Sequence, residues 1–166
     1  MKKVLIFLVM LFTFNVMAEE ISKEKNETVP SEINTKTVDG EWLPCSANEK
    51  KCVVHGYKYN VGTIAEGEKA VVKRIVEILN EDVKGGVIDL VGYTDNTGSR
   101  SGNLKLSVKR AEEVAELMRA YGLDRKFSFG EITGKGEENP SDTNSTAAGR
   151  YNNRRVEIYF SNVEFK

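Results

Sequence analysis

Three residues of this chain have types and spacing that could do chemistry together. Asp95 stands just past an apolar run, Val87 to Tyr93, and Asn103 and Arg110 follow it. The last two are seven residues apart, almost two full turns of an α-helix, so their side chains share a face. Helical side chains lean toward the N-terminus, which points Arg110 back at the loop carrying Asp95. A carboxylate and a guanidinium that converge without being sequence neighbours suit a zwitterion, with Asp for an ammonium and Arg for a carboxylate. The same spacing fits a structural ion pair. Spacing alone leaves both open.

Other chemistry has less to stand on. Glu131, Glu137, Glu138 and Asp142 could supply the paired carboxylates of a glycan hydrolase. They fall in or beside a polar loop, where solvated acids are the ordinary case. A Ser-His-Asp set would rest entirely on His55, the one histidine. Cys45 and Cys52 bracket a short polar loop and, in an oxidising compartment, read as a disulfide closing a small hairpin. No thiol is then left as a nucleophile, and no ligand set remains for a metal. The expectation is a chain that is not an enzyme and takes no cofactor and no metal. A formal charge of -1 without a basic run also argues against nucleic acid as a partner.

The stretch around Asp95 also carries a pattern. It reads Gly92-Tyr93-Thr94-Asp95, Gly98, Asn103, Leu106-Ser107 and Arg110-Ala111. A second block follows as Gly134-Lys135-Gly136-Glu137-Glu138-Asn139-Pro140, Asn144, Gly149-Arg150 and Asn153-Arg154-Arg155-Val156-Glu157. In order and spacing the two blocks resemble the OmpA-like C-terminal domain, the peptidoglycan-binding module also found in peptidoglycan-associated lipoproteins and flagellar stator proteins. The resemblance covers residues 52 to 160. It implies that Asp95 and Arg110 hold the free amino and carboxyl groups of the diamino acid in a peptidoglycan stem peptide, typically diaminopimelate. Thr94 and Asn103 match flanking positions that orient the site, although Asn103 fits equally a helix cap. By motif position Arg154, rather than Arg155, approaches the ligand. Lys135 departs from the pattern, where an aromatic or apolar residue is common, and this bears only on the rim.

The elements that must position these residues alternate. Val53 to Tyr59 is β-rich, and Gly67 to Leu79 places apolar residues at helical spacing. Val87 to Tyr93 reads as a strand apolar enough to be covered on both faces. A helix over Asn103 to Tyr121 is expected to turn Leu104, Val108, Ala111, Val114, Ala115 and Met118 to the core, with Gly122 ending it. Phe127 to Thr133 and Arg155 to Phe160 complete the strands, with a long polar loop and a turn of helix between them. The fold class is α/β (α+β), a βαβαβ-type arrangement with a mixed sheet of about four strands and helices packed on it.

The ends complete the layout. Residues 1–18 read as a secretory signal, with Lys2 and Lys3 before an apolar run and Val16-Met17-Ala18 at the cleavage position. Its removal takes the formal charge from -1 to -3. No Cys follows that position to accept a lipid. Residues 19–44 form a polar leader ending near Trp42, expected to be a disordered spacer, and residues 45–166 the binding domain. The chain is expected in the periplasm, peripheral to the outer membrane at most, binding peptidoglycan. Two other readings stay open: an interaction subunit for an outer-membrane protein partner with little wall affinity of its own, and a peptidoglycan hydrolase.

Overall fold

The structure, a computed structural model, describes residues 45, 46, 49–164 and 166. The signal segment, the leader and Trp42 lie outside the described residues. The elements are β1 (Cys45–Ser46), β2 (Lys51–Val54), a 3-10 turn (Glu66–Glu68), α1 (Lys69–Asp82), β3 (Gly86–Gly92), α2 (Arg100–Ala120), β4 (Phe127–Gly134), α3 (Ala147–Asn153) and β5 (Val156–Ser161). The fold is the expected α+β class, but among the described residues the sheet has five strands, in the order β1-β2-β5-β3-β4. β3 and β4 run parallel, joined through α2, and the other neighbours are antiparallel.

The additional strand comes from the cysteine hairpin. Cys45 and Cys52 stand opposite each other in the β1–β2 register and are joined as a disulfide. That bond holds a two-residue strand on the sheet edge, a length that backbone pairing alone would hold poorly.

Period-2 alternation decides which strand residues make the core. Cys52 and Val54, Ile88 and Leu90, and Val156 and Ile158 all face the helices and are buried. They meet Val72, Ile75, Val76 and Leu79 of α1, and Ala111, Val114, Ala115 and Met118 of α2. Burial of β3 therefore alternates, with Val87, Asp89 and Val91 half-buried on its other face. This corrects the expectation of a strand covered on both faces; the antiparallel β5 neighbour leaves the sheet one open side.

α2 also begins earlier than its apolar spacing implies. Ser99 caps it, accepting a hydrogen bond from the Gly102 amide at 3.2 Å. Asn103 is thus inside the first turn and is not the cap. Leu104, expected in the core, is 50% exposed. At the other end Gly122 takes φ +81°, the left-handed residue just past the helix.

Candidate ligand site at the carboxyl ends of β3 and β4

Two glycines bring the site together. A Cβ on Gly92 or on Gly134 would fall inside the contact shell of Ser107, of its backbone oxygen in the first case and its hydroxyl in the second. Without those side chains α2 crosses the carboxyl ends of β3 and β4 at backbone distance. The Ser107 hydroxyl closes the joint by accepting a hydrogen bond from the Gly136 amide at 2.9 Å. This crossing sets Asp95, on the loop after β3, beside the first half of α2. It is the location where open sheets with parallel strands commonly hold ligands.

Asp95 is 3% exposed. Its Oδ2 accepts from Arg154 Nη1 at 2.8 Å, and its Oδ1 from the Thr97 amide at 2.9 Å. Burial by itself would raise the carboxyl's pKa. The hydrogen bonds from Arg154 and Thr97 and the charge of Arg154 outweigh it, holding Asp95 below the ordinary carboxylate value and ionised. Thr94, immediately before it, donates its amide to the Gly136 carbonyl at 2.8 Å. Its buried hydroxyl has no hydrogen-bond partner among the described residues.

Arg110 is fully buried. Its guanidinium donates to three backbone carbonyls: Nη1 to Tyr93 at 2.8 Å, Nε to Val61 at 3.1 Å and Nη2 to Lys58 at 3.2 Å. The Tyr57 ring lies over it, 4.8 Å from ring centre to Cζ. Burial lowers the Arg110 pKa to about 10, with the neighbouring Arg154 cation acting in the same sense and Tyr57 and Asp95 against it. The group stays a cation at neutral pH. Burial first, and then the Glu113 carboxylate, push the Tyr57 hydroxyl's pKa up.

Arg154 closes α3 as its C-terminal cap and does not begin the last strand, which starts at Val156. Besides Asp95, it donates Nε to the Tyr57 carbonyl at 2.7 Å. Arg155 turns elsewhere, to Glu157 at 2.8 Å and over the Tyr93 ring. Asn103 reaches Glu137 at 2.6 Å and the Asp95 carbonyl at 3.4 Å. Lys135 is exposed, as a rim residue would be.

The residues singled out from sequence thus surround one strand end, but the pairing differs from the simplest picture. Asp95 has Arg154 as its ion-pair partner, and Arg110 has carbonyls. Sequence reasoning passed over the 57–64 loop, whose carbonyls hold both arginines, and Glu113, whose carboxylate accepts from the Ile64 amide at 2.8 and 3.0 Å. Glu113 is one helical turn beyond Arg110, and that spacing could have pointed to it. Asn153 was also missed as a support. Its buried amide bonds the backbone of Asp142 through both ends at 2.9 Å, and the Asn144 side chain at 2.9 Å.

Three of the four acids considered for hydrolysis are engaged separately, Glu137 by Asn103 as above. Glu138 pairs with Arg100 at 2.7 Å, and Asp142 accepts from the Asn152 side chain at 2.8 Å. His55 stacks on Tyr151 with ring centres 6.0 Å apart. Among the described residues no group of three His, Cys, Asp or Glu could hold a metal ion, and no helix is long and apolar enough to cross a membrane.

The OmpA family pattern matches residues 56–154, a span that begins at the 57–64 loop and ends at Arg154. The chain is 41% identical over 87 residues to the probable lipoprotein YiaD of Escherichia coli (strain K12), covering 52% of this chain and 38% of that protein. It is 44% identical over 71 residues to the peptidoglycan-binding protein ArfA of Mycobacterium tuberculosis, covering 43% of this chain and 21% of ArfA. The chain spans less than two thirds of the length of these curated relatives. Among solved structures, the C-terminal domain of Helicobacter pylori MotB superimposes with a TM-score of 0.58 at 27% identity, covering 66% of this chain and 83% of that one. A family pattern that covers more than half of the sequence, and contains every residue of the site, places this chain in the OmpA family.

Proposed function

We propose that this domain binds peptidoglycan non-covalently, taking the free amino and carboxyl groups of a stem-peptide diamino acid, such as diaminopimelate, between Asp95 and Arg110. The function is attachment or organisation of the cell envelope. The observation that carries the reading is the convergence, at one strand end, of an ionised acid, an arginine and an enclosed hydroxyl, that of Thr94, with no hydrogen-bond partner among the described residues. A buried hydroxyl is normally paired, so one left open beside a carboxylate suits a ligand's polar group.

Charge and valence fit as well. Asp95, Arg110 and Arg154 sum to one positive charge, which favours a ligand carboxylate alongside the ammonium. A carboxylate has about four acceptor positions, and Asp95 uses two of them in the bonds given above. Each terminal nitrogen of Arg110 keeps a second N–H beyond the carbonyl it serves. The 58–61 turn that meets Arg110 through the Lys58 and Val61 carbonyls lies at the surface, with Lys58, Tyr59 and Asn60 exposed. Membership of the OmpA family and the likeness to ArfA support the same substrate class. The periplasm is the location that goes with this reading. An outer-membrane protein is the partner that would connect wall to membrane, and a polymeric wall multiplies weak single contacts.

The test is co-sedimentation with purified sacculi. Asp95→Ala and Arg110→Ala should each weaken binding by roughly 30-fold or more, the equivalent of losing one partner of a desolvated charge pair, while the exposed Lys105→Ala should bind like the parent. Circular dichroism shows whether each variant is folded at the assay temperature. Folded Asp95→Ala and Arg110→Ala proteins that still sediment fully would reduce both residues to structural roles.

A further inference from the structure

We infer that Glu113 is a positioning residue for the ligand site, aiming Arg110 through the backbone of the 57–64 loop. The inference rests on the peptidoglycan-binding reading above. Both Glu113 oxygens converge on one amide, that of Ile64, at 2.8 and 3.0 Å. Ile64 is buried and bridges back to Tyr57 in antiparallel fashion, and the Ala65 amide donates to the Gly56 carbonyl at 3.0 Å, so Glu113 is the side-chain member of the grip that closes the loop at its far end. Between those two residues lie the carbonyls of Lys58 and Val61, which receive Nη2 and Nε of Arg110. The near end is held separately, by Arg154 on the Tyr57 carbonyl.

Carbonyls aim a guanidinium only if they are themselves fixed. Inside the loop the Val61 amide donates to the Lys58 carbonyl at 3.2 Å, closing a small turn. The exposed residues of that turn have little packing to fix them. Glu113 therefore supplies, from the same helix as Arg110 and one turn away, the anchor for two of the three acceptors that orient it. If the anchor goes, the guanidinium keeps the Tyr93 carbonyl and the Tyr57 ring but loses two of the acceptors that set its orientation in plane, and that orientation is what lets an arginine read a carboxylate with two parallel bonds.

The experiment uses two probes: a tripeptide stem ending in meso-diaminopimelate, and the same peptide amidated at the carboxyl beside the free amine. Calorimetric titration of the full mature chain gives the ratio of the two affinities, which reports how well a carboxylate is read. Glu113→Ala should weaken binding of the acid by about tenfold or more, as for a lost charge-assisted hydrogen bond, and bring the ratio close to one. Glu113→Gln keeps one oxygen that can accept from the Ile64 amide, and should retain the ratio within about threefold. A purely structural Glu113 would lower thermal stability and leave the ratio where it was. A folded Glu113→Ala with an unchanged ratio, or with tighter binding, overturns the inference. Arg110→Ala separates that failure from failure of the reading: if it too leaves both affinities unchanged, Arg110 holds no carboxylate and the peptidoglycan site itself is lost.

Discussion

Asp95 is paired with Arg154, at 2.8 Å with both side chains buried, although the two lie 59 residues apart in sequence. A pair so enclosed is sensitive to the loss of either member, because the survivor is left as an uncompensated charge out of water. The pair also joins the loop after β3 to the end of α3, so it has a part in shaping the site whatever the site holds.

Removing Arg154 should therefore cost stability. Arg154→Ala is expected to lower the unfolding free energy by about 3 to 5 kcal/mol. The double variant Asp95→Asn, Arg154→Ala should recover part of that loss, since neither charge then remains to be compensated. Urea titrations of the parent, the two single variants and the double variant close the cycle. Full additivity would mean that the pair is not coupled.

His55 sets a pH dependence. Burial foremost, then the Arg155 cation, lowers its pKa from 6.5 to about 4, with Glu157 pulling the other way. Its Nδ1 has no hydrogen-bond partner among the described residues. The folded protein thus holds His55 neutral, whereas the unfolded chain takes up a proton below pH 6.5. Stability is complete above that value and falls as the pH drops toward 4, by about 2 kcal/mol between pH 7 and pH 5. His55→Phe, which keeps a ring against Tyr151, should flatten this limb of the stability profile. The chain has one histidine, so a persisting slope would belong to other groups.

Reduction of Cys45–Cys52 should destabilise the domain by about 2 to 3 kcal/mol in the loop-entropy account. The residues are separated by seven positions, so the entropic effect is at the modest end. Thermal melts with and without reductant measure it. Alkylation of the native protein should modify neither thiol until reductant is added, and free reaction without it would contradict the bridge.

Gly92→Ala should be costly, because its methyl group would meet the Ser107 backbone, which cannot rotate away. About 3 kcal/mol is expected, the upper part of the usual range for overpacking. Displacing α2 would move Arg110 with it, so sacculus binding should weaken even at temperatures where the variant is folded. Gly67→Ala, where nothing lies within 4 Å, serves as the control and should stay within about 0.5 kcal/mol of the parent.

Much of this architecture was legible in the sequence where local rules govern. The periods of α1, α2 and the strands follow from apolar spacing, and the seven-residue step from Asn103 to Arg110 put both on the buried face of α2. What stayed hidden depends on contacts across the fold. Leu104 has the right period for the core but is exposed near the start of α2. Asp95 finds Arg154 and Arg110 finds the carbonyls of Lys58 and Val61 because distant loops meet, and a backbone oxygen carries no signature in the sequence. The fifth strand was hidden for another reason: two residues are too few to show a period, and only the register of the cysteines reveals them.

The disulfide has a mechanical consequence. Any pull on the chain preceding Cys45 passes straight through the sulfurs to Cys52, because the bond lies across the β1–β2 hairpin. The load bypasses the hairpin, so β1 cannot be peeled away one hydrogen bond at a time. It reaches β2 instead, at a residue paired with Ile158 of β5 and buried in the core. Force therefore meets the central sheet as a unit, and a domain held at its ligand site and pulled through the residues before Cys45 would yield cooperatively, not by gradual fraying from its edge.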